Sequence, residues 1–231
     1  MAKESVMEQS QTSSAAEIES IVILPDYWEK ACKHLCSRDR IMRRLIAQYP
    51  QASLESRGNA FVTLARSIVG QQISVKAAQT IWDRLLLVTS EGRFEPTPQE
   101  VLAVSETELK DAGLSKRKIE YIRDLAAHFS DQRLDPAAWA MMDDEAIILE
   151  LIKVRGIGRW TAEMFLIFYL LRPNVFPLDD VGLMRGISLN YFSGEPVSRV
   201  EARELGEAWA PYRTVAIWYL WRSLDPLPVS Y

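Results

Sequence analysis

The sequence has only two cysteines, Cys32 and Cys36, among its 231 residues. Two thiols complete neither a disulfide framework nor a four-cysteine metal cluster, so we expect reduced thiols and no metal site. Long hydrophobic runs are missing too, since the longest one, near Met164–Leu171, is far below the roughly 18 residues of a membrane span. Residues 1–20 are polar, unlike a secretion signal. We expect a soluble intracellular protein that has no membrane partner.

The chain also lacks an excess of positive charge. It has 27 basic and 31 acidic residues, a formal net charge of −4. Residues 1–20 carry much of this deficit, because one lysine there faces four glutamates. The remainder is almost neutral, and a neutral body is compatible with a basic face, which is what phosphate binding requires. The net charge therefore does not exclude a nucleic-acid partner.

Alternating strand patterns are absent, and apolar residues recur at helical spacing along most of the chain. Residues 1–20, rich in Ser, Gln, Glu and Ala, are predicted to be a disordered tail, and 21–231 a folded domain. We predict an all-α fold of about ten helices. They include Val75–Val88, Lys116–Phe129, Ala146–Lys153, a helix from Gly158 to Leu171, one from Asp179 to Phe192, one from Ser198 to Trp209, and one from Pro211 to Leu224.

The most informative segment is Leu151–Phe165, which contains two glycines at Gly156 and Gly158. A dinucleotide-binding loop is excluded, because it requires a third glycine where Thr161 stands and a strand where the spacing is helical. Instead, the pattern predicts two helices joined by a tight turn. Gly156 supplies a positive φ and Ile157 plugs into the core.

The same turn carries positive charge. Lys153, Arg155 and Arg159 surround it, and the free N–H groups that follow Gly158 are expected to point outward as an anion site. Such a site suits a DNA phosphate bound without sequence preference. A plain helical hairpin with a glycine turn remains the alternative.

Two further features are ambiguous. Asp179 and Asp180 stand at a predicted helix start. Asp179 suffices as the cap, which leaves Asp180 available for a function; the alternative is that both are capping residues. Trp160 shares one helix face with Met164 and Phe168, and Trp221 belongs to a late aromatic cluster. Aromatic residues at helical spacing are more often core than binding site.

Together these motifs resemble one family. Val154-x-Gly-Ile-Gly-x-x-Thr-Ala162, followed by Phe176-Pro-x-Asp-Asp-x-x-Leu183, resembles the helix–hairpin–helix/Gly-Pro-Asp superfamily of DNA glycosylases. The 3-methyladenine DNA glycosylase II branch, in its compact form, is the most similar. Ile68-Val-Gly-Gln-Gln-Ile-Ser-Val75, Gly113-Leu-Ser-x-x-Lys-x-x-Tyr121 and Trp209-x-Pro-Tyr-Arg213 extend the similarity over about Ala60–Trp221.

The resemblance implies two helical lobes that flank a DNA-binding cleft, one of about 60–172 and the other of about 21–59 with 173–231. It implies Asp180 as the catalytic residue, a base pocket of Trp160, Met164 and Trp221, and Gln72 as the wedge that fills the gap left by an extruded base. The phosphate-binding hairpin would comprise Val154, Gly156, Ile157, Gly158, Arg159 and Thr161.

The implied activity is removal of alkylated bases such as 3-methyladenine from double-stranded DNA by a monomer without cofactor. The implied location is the cytoplasm or nucleoid of a bacterium or the nucleus of a eukaryote. Bifunctional members carry a lysine nucleophile where this chain has Trp160, which argues against strand cleavage. The alternatives are a non-catalytic DNA-binding module and a bifunctional glycosylase–lyase.

Overall fold

The computed structural model describes residues 25–50, 54–56, 59–90, 92 and 95–224. These residues form twelve α-helices, one short 3-10 helix and no β-strand, so the predicted all-α fold is confirmed. The predicted disordered tail, residues 1–20, lies outside the described part. The α-helices are α1 (Trp28–Arg38), α2 (Arg40–Gln48), α3 (Ala60–Gly70), α4 (Val75–Ser90), α5 (Pro98–Ala103), α6 (Glu106–Asp111), α7 (Lys116–Ser130), α8 (Asp144–Leu151), α9 (Arg159–Phe168), α10 (Val181–Tyr191), α11 (Arg199–Trp209) and α12 (Arg213–Leu224); the 3-10 helix is Ala138–Met141.

The helix after the hairpin is shorter than predicted. It ends at Phe168 and not at Leu171, because the backbone turns into the left-handed region at Leu171, with φ +52°. The N–H of Arg172 then bonds back to the carbonyl of Leu166 at 2.9 Å, which closes the helix end. The sequence did not indicate this helix end, because the residues directly after Phe168 are also apolar and remain partly buried.

Two other helix ends differ from the prediction for local reasons. Helix α8 starts and ends about two residues early, because Asp143 caps it by accepting the N–H of Ala146 at 2.8 Å. Helix α12 begins at Arg213, and Pro211 lies in the turn before it. There the N–H of Tyr212 bonds to the carbonyl of Trp209 at 2.8 Å.

The helices pack in two groups. In the first, α7 packs on α3, α5 and α6, and α3 packs on α4 and α9. In the second, α12 packs on α1, α2, α10 and α11. Fully buried tryptophans lie in both groups, Trp82 and Trp139 in the first and Trp209 in the second. Helix α9 of the first group and helices α10 and α12 of the second carry the residues of the candidate site.

Candidate active site

Asp180 lies at the start of α10, where it is the N-cap. Its Oδ1 accepts the N–H of Leu183 at 2.6 Å, and the helix begins at Val181. The prediction that Asp179 caps this helix and leaves Asp180 without a structural role is therefore wrong. Asp179 lies one residue outside the helix, half-exposed, and pairs with Arg199 at the start of α11. The sequence spacing did not distinguish the two carboxylates, because either one can cap a helix that starts one residue earlier or later.

Two indole rings also bind the Asp180 carboxylate. Nε1 of Trp160, from α9, donates to Oδ2 at 2.9 Å, and Nε1 of Trp221, from α12, donates to Oδ1 at 2.8 Å. Asp180 is 9% exposed, so three N–H donors surround a nearly buried carboxylate. Donors of this kind and the positive end of a helix dipole both stabilise a negative charge. The structure thus brings together three of the predicted site residues.

The aromatic residues around Asp180 differ in exposure. Trp160 is 40% exposed and lies at the surface, whereas Trp221 is half-buried and stacks on Phe168 with ring centroids 5.7 Å apart. Met164 is buried in the hydrophobic core, one turn after Trp160 along α9. A flat, electron-poor ring placed beside Asp180 would meet the accessible indole of Trp160 first.

The glycine hairpin has the predicted backbone. Gly156 adopts φ +86°, and a Cβ on it would lie 2.2 Å from the ring of Tyr121, so that no other residue fits. Val154 and Ile157 are buried on the core side. Gly158 differs from Gly156, because a Cβ there would meet no protein atom within 4 Å. Packing inside the protein therefore does not explain this second glycine, which leaves an open surface at the turn.

Helix α9 begins at this open surface. Gly158 is its N-cap and has no side chain to accept the first N–H groups. The N–H groups in the first turn of a helix have no acceptor within the helix, and they attract anions. Gly158, Arg159 and Trp160 are exposed, and Thr161 is half-buried. The residues that carry the N–H groups of the predicted anion site therefore lie at or near the surface.

The charge at the hairpin is less positive than predicted. Arg159 binds Glu145 through two hydrogen bonds of 2.9 and 2.6 Å and Glu163 through one of 3.2 Å. The bonds to Glu145 raise the pKa of Arg159, and burial raises the pKa of Glu163. Lys153 and Arg155 are exposed. The spacing of Arg159 and Glu163, four residues apart on one helix, is a signal for this pair that was present in the sequence.

Gln72 is exposed and lies in the turn between α3 and α4. Its backbone is left-handed, with φ +59°, which is rare for a residue other than glycine. The preceding residue, Gln71, contacts the hairpin: its Nε2 donates to the carbonyl of Gly156 at 2.8 Å. The predicted wedge residue is therefore tied closely to the predicted phosphate site, a connection that the sequence did not indicate.

No group of three or more metal-ligating side chains occurs among the residues that the structure describes. Both cysteines are free thiols, and Sγ of Cys32 lies 3.6 Å from the hydroxyl of Tyr219. Within the described ranges, none of the helices is sufficiently long and apolar to cross a membrane.

Comparison with known proteins identifies the family. Residues 65–211 match the model of the HhH-GPD superfamily base excision DNA repair proteins. A DNA-3-methyladenine glycosylase of Schizosaccharomyces pombe is 33% identical over 199 residues, which cover 84% of this chain and 86% of that protein.

Two solved structures have the same fold. A DNA-3-methyladenine glycosidase from Bacillus halodurans superposes with a TM-score of 0.80 at 36% identity, covering 89% of this chain and 93% of that one. A 3-methyladenine DNA glycosylase of S. pombe in complex with abasic DNA gives a TM-score of 0.70 at 30% identity, covering 87% of this chain and 100% of that one. The family match extends from α3 through α11 and includes both the glycine hairpin and Asp180. This chain therefore belongs to the HhH-GPD superfamily of base excision DNA repair proteins.

Proposed function

We propose that the protein is a monofunctional DNA glycosylase that removes alkylated bases such as 3-methyladenine and leaves an abasic site. The observation that carries this proposal is the Asp180 carboxylate, which the indoles of Trp160 and Trp221 hold at the start of α10. The bond to the N–H of Leu183 serves the helix cap, whereas the two indole bonds exceed what a cap requires. The relatives described above, named as 3-methyladenine glycosylases, support the same substrate class.

The first step is extrusion of the damaged base. A base must leave the stack before an enzyme can attack its glycosidic bond, and this costs a few kcal/mol, less for a weakly paired lesion. The exposed side chain of Gln72 fills the gap in the duplex. The extruded base stacks on Trp160 and lies beside Trp221, while Met164 packs beneath them. An alkylated purine is cationic, so aromatic faces attract it.

The second step is hydrolysis at C1′ of the sugar. The bond between C1′ and the base nitrogen breaks, and its electron pair leaves with the base. Because the alkylated base already carries a positive charge, it leaves as a neutral molecule and needs no general acid. Positive charge develops at C1′, and the carboxylate of Asp180 stabilises it and orients the attacking water, as carboxylates do in glycosidases. The oxygen of this water bonds to C1′, and the water releases one proton to the solvent. The products are the free base and an abasic site.

Strand cleavage by β-elimination requires an amine that attacks C1′ and forms an imine. At the corresponding position this chain has Trp160, whose N–H is bound to Asp180. Lys118 is occupied by the carbonyl of Val69, at 2.7 Å. Lys153, exposed on the hairpin, is the first lysine to examine should an imine form.

Double-stranded DNA is the proposed partner, bound by a monomer in the nucleoid or the nucleus without a cofactor. The hairpin of Val154, Gly156, Ile157, Gly158, Arg159 and Thr161 is proposed to hold a phosphate. Its N–H groups at the start of α9 are the donors, and the missing side chain at Gly158 allows the DNA backbone to approach. Arg159 contributes only when a phosphate competes with Glu145 for its guanidinium.

The test measures base release and strand breakage separately. Duplex DNA methylated with a simple methylating agent is incubated with the protein, and free bases are separated by chromatography, with unmethylated DNA as the control. We expect free methylated purines and DNA that breaks only after heat or alkali. Borohydride should trap no covalent complex. Binding without base release would favour the non-catalytic module, and a trapped complex would favour the bifunctional enzyme.

A further inference from the structure

The turn that carries Gln72 has a demanding backbone. Gln71 has φ −55° and ψ 129°, and Gln72 has φ +59°. These three angles resemble those of a type II turn, whose third residue is usually glycine or asparagine. A glutamine is held there in a conformation that L side chains rarely adopt, and the surrounding contacts must maintain it.

Gln71 provides one of these contacts. Its side-chain amide reaches across to the hairpin and donates to the carbonyl of Gly156 at 2.8 Å, joining residues 85 positions apart in the sequence. Gly156 is the residue at which the hairpin reverses. The donors proposed for phosphate begin two residues later, at Gly158. One hydrogen bond thus connects the turn of Gln71 and Gln72, called the insertion turn from here on, with the phosphate-binding hairpin.

Helix α7 supports both loops from the same side. Lys118 donates to the carbonyl of Val69 near the end of α3, at 2.7 Å, directly before the insertion turn. One turn later, the ring of Tyr121 lies against Gly156. Asp124 follows another three residues on and accepts the N–H of Arg155 at 2.8 Å. Residues spaced by three lie on one face of a helix, so α7 presents a single face to both loops.

We propose that Gln71 is a positioning residue that fixes the insertion turn relative to the hairpin. When the hairpin grips a phosphate, the bond to Gly156 determines where Gln72 enters the duplex. The inference rests on the proposed function, because it assigns Gln72 to the gap of an extruded base. It predicts a separation of effects: loss of the Gln71 bond impairs base extrusion but changes neither general DNA binding nor the chemistry at C1′.

The test compares Gln71→Met, which keeps the length of the side chain and removes the donor, with wild type. Gln79→Met is the matched control, since Gln79 is an exposed glutamine on α4 that bonds to Asp83. Two duplexes that contain the same alkylated base serve as substrates. In one the lesion is paired with a normal base, and in the other it lies opposite an abasic site. Affinity for undamaged DNA and the melting temperature of each variant are also measured.

We expect Gln71→Met to slow single-turnover excision of the paired lesion by about 3- to 10-fold, the value of one neutral hydrogen bond. Excision of the lesion opposite the abasic site should remain within about twofold of wild type. This lesion is already unpaired, so its extrusion costs less free energy. Gln79→Met should match wild type on both substrates. An equal loss on both duplexes, a parallel loss of affinity for undamaged DNA, or no loss at all would overturn the proposal. Failure of wild type to release any base would instead refute the proposed function.

Discussion

Replacement of Asp180 by asparagine separates the charge of this side chain from its structural role. Oδ1 accepts the N–H of Leu183 at 2.6 Å and the indole N–H of Trp221 at 2.8 Å, and an amide oxygen retains both bonds. The amide nitrogen then occupies the place of Oδ2, where it faces the N–H of Trp160, another donor. One hydrogen bond is lost and the helix cap is kept.

The structure gives the size of the expected effects. Loss of the Trp160 bond should lower the free energy of unfolding by about 1.5–3 kcal/mol, because its acceptor is a carboxylate; water solvates the freed N–H of this indole, which is 40% exposed. Loss of the negative charge beside C1′ should lower the excision rate by about 100-fold or more. Asp180→Ala removes the cap as well, which adds about 1 kcal/mol to the loss of stability.

The assay is single-turnover base release at saturating enzyme, together with denaturant unfolding and DNA binding. Asp179→Asn is the control, because Asp179 carries the same group one residue away and pairs with Arg199 at the surface. An exposed pair of this kind is worth about 0–1 kcal/mol, and we expect almost full activity.

Three outcomes would refute the reasoning. Excision by Asp180→Asn within a few-fold of wild type would show that charge at this position is not required. A loss of stability by Asp180→Asn as large as that of Asp180→Ala would show that the amide does not preserve the cap. A larger loss of activity in Asp179→Asn than in Asp180→Asn would invert the assignment of the two carboxylates.

Four further variants test other parts of the site. Gly156→Ala should lower the free energy of unfolding by about 2–5 kcal/mol in denaturant unfolding, because its Cβ would meet the Tyr121 ring at 2.2 Å on a backbone with positive φ. Gly158→Ala should change the free energy of unfolding by less than about 1 kcal/mol, because its Cβ meets no protein atom within 4 Å. It should nevertheless weaken binding to undamaged DNA in a titration. Unchanged affinity would show that the hairpin does not bind a phosphate. Gln72→Gly should relieve the strain of the left-handed backbone at this residue, so that the free energy of unfolding stays equal or rises by up to about 1 kcal/mol. Excision of a paired lesion should fall as it does in Gln72→Ala. Retained excision would show that the Gln72 side chain does not fill the gap in the duplex. Trp160→Phe should keep most lesion binding and lose excision rate, because it keeps an aromatic face and removes the N–H to Asp180. An excision rate equal to that of wild type would show that this N–H is not required and would assign Trp160 to stacking alone.

The sequence predicted the local features of the site well. The positive φ of Gly156 and the burial of Ile157 follow from residue type and position within a few residues, and both are confirmed. The register at Asp180 was missed by one residue, since two adjacent aspartates offer the same cap and only the backbone conformation of the preceding loop selects between them. The pairing of Arg159 was also missed. Its spacing of four residues from Glu163 is a signal in the sequence, whereas Glu145 lies on α8 and no spacing indicates that contact.

Contacts between distant elements were beyond reach from a single sequence. Trp160 is 20 residues from Asp180 and Trp221 is 41 residues from it, and nothing in their spacing indicates that both indoles point their N–H groups at one carboxylate. Gln71 and Gly156 are 85 residues apart. Such contacts depend on how three helices pack against one another. The apolar pattern of a helix predicts only which of its faces is buried, and not which residues of its neighbours that face contacts.

The geometry at Asp180 also explains why the first turn of α10 contains a glycine. A Cβ at Gly182 would lie 3.1 Å from Oδ1 of Asp180 and 3.2 Å from the indole of Trp221, in the space through which the indole reaches the carboxylate. Glycine is unfavourable within a helix by roughly 1 kcal/mol relative to alanine, so its presence there costs stability. The free space allows the Trp221 indole to bind the Asp180 carboxylate, which also caps the helix. The cap bond holds this carboxylate in position. The missing side chain at Gly182 thus leaves the space in which the Asp180 carboxylate meets the Trp221 indole, and this links the local backbone of α10 to the arrangement of the candidate site.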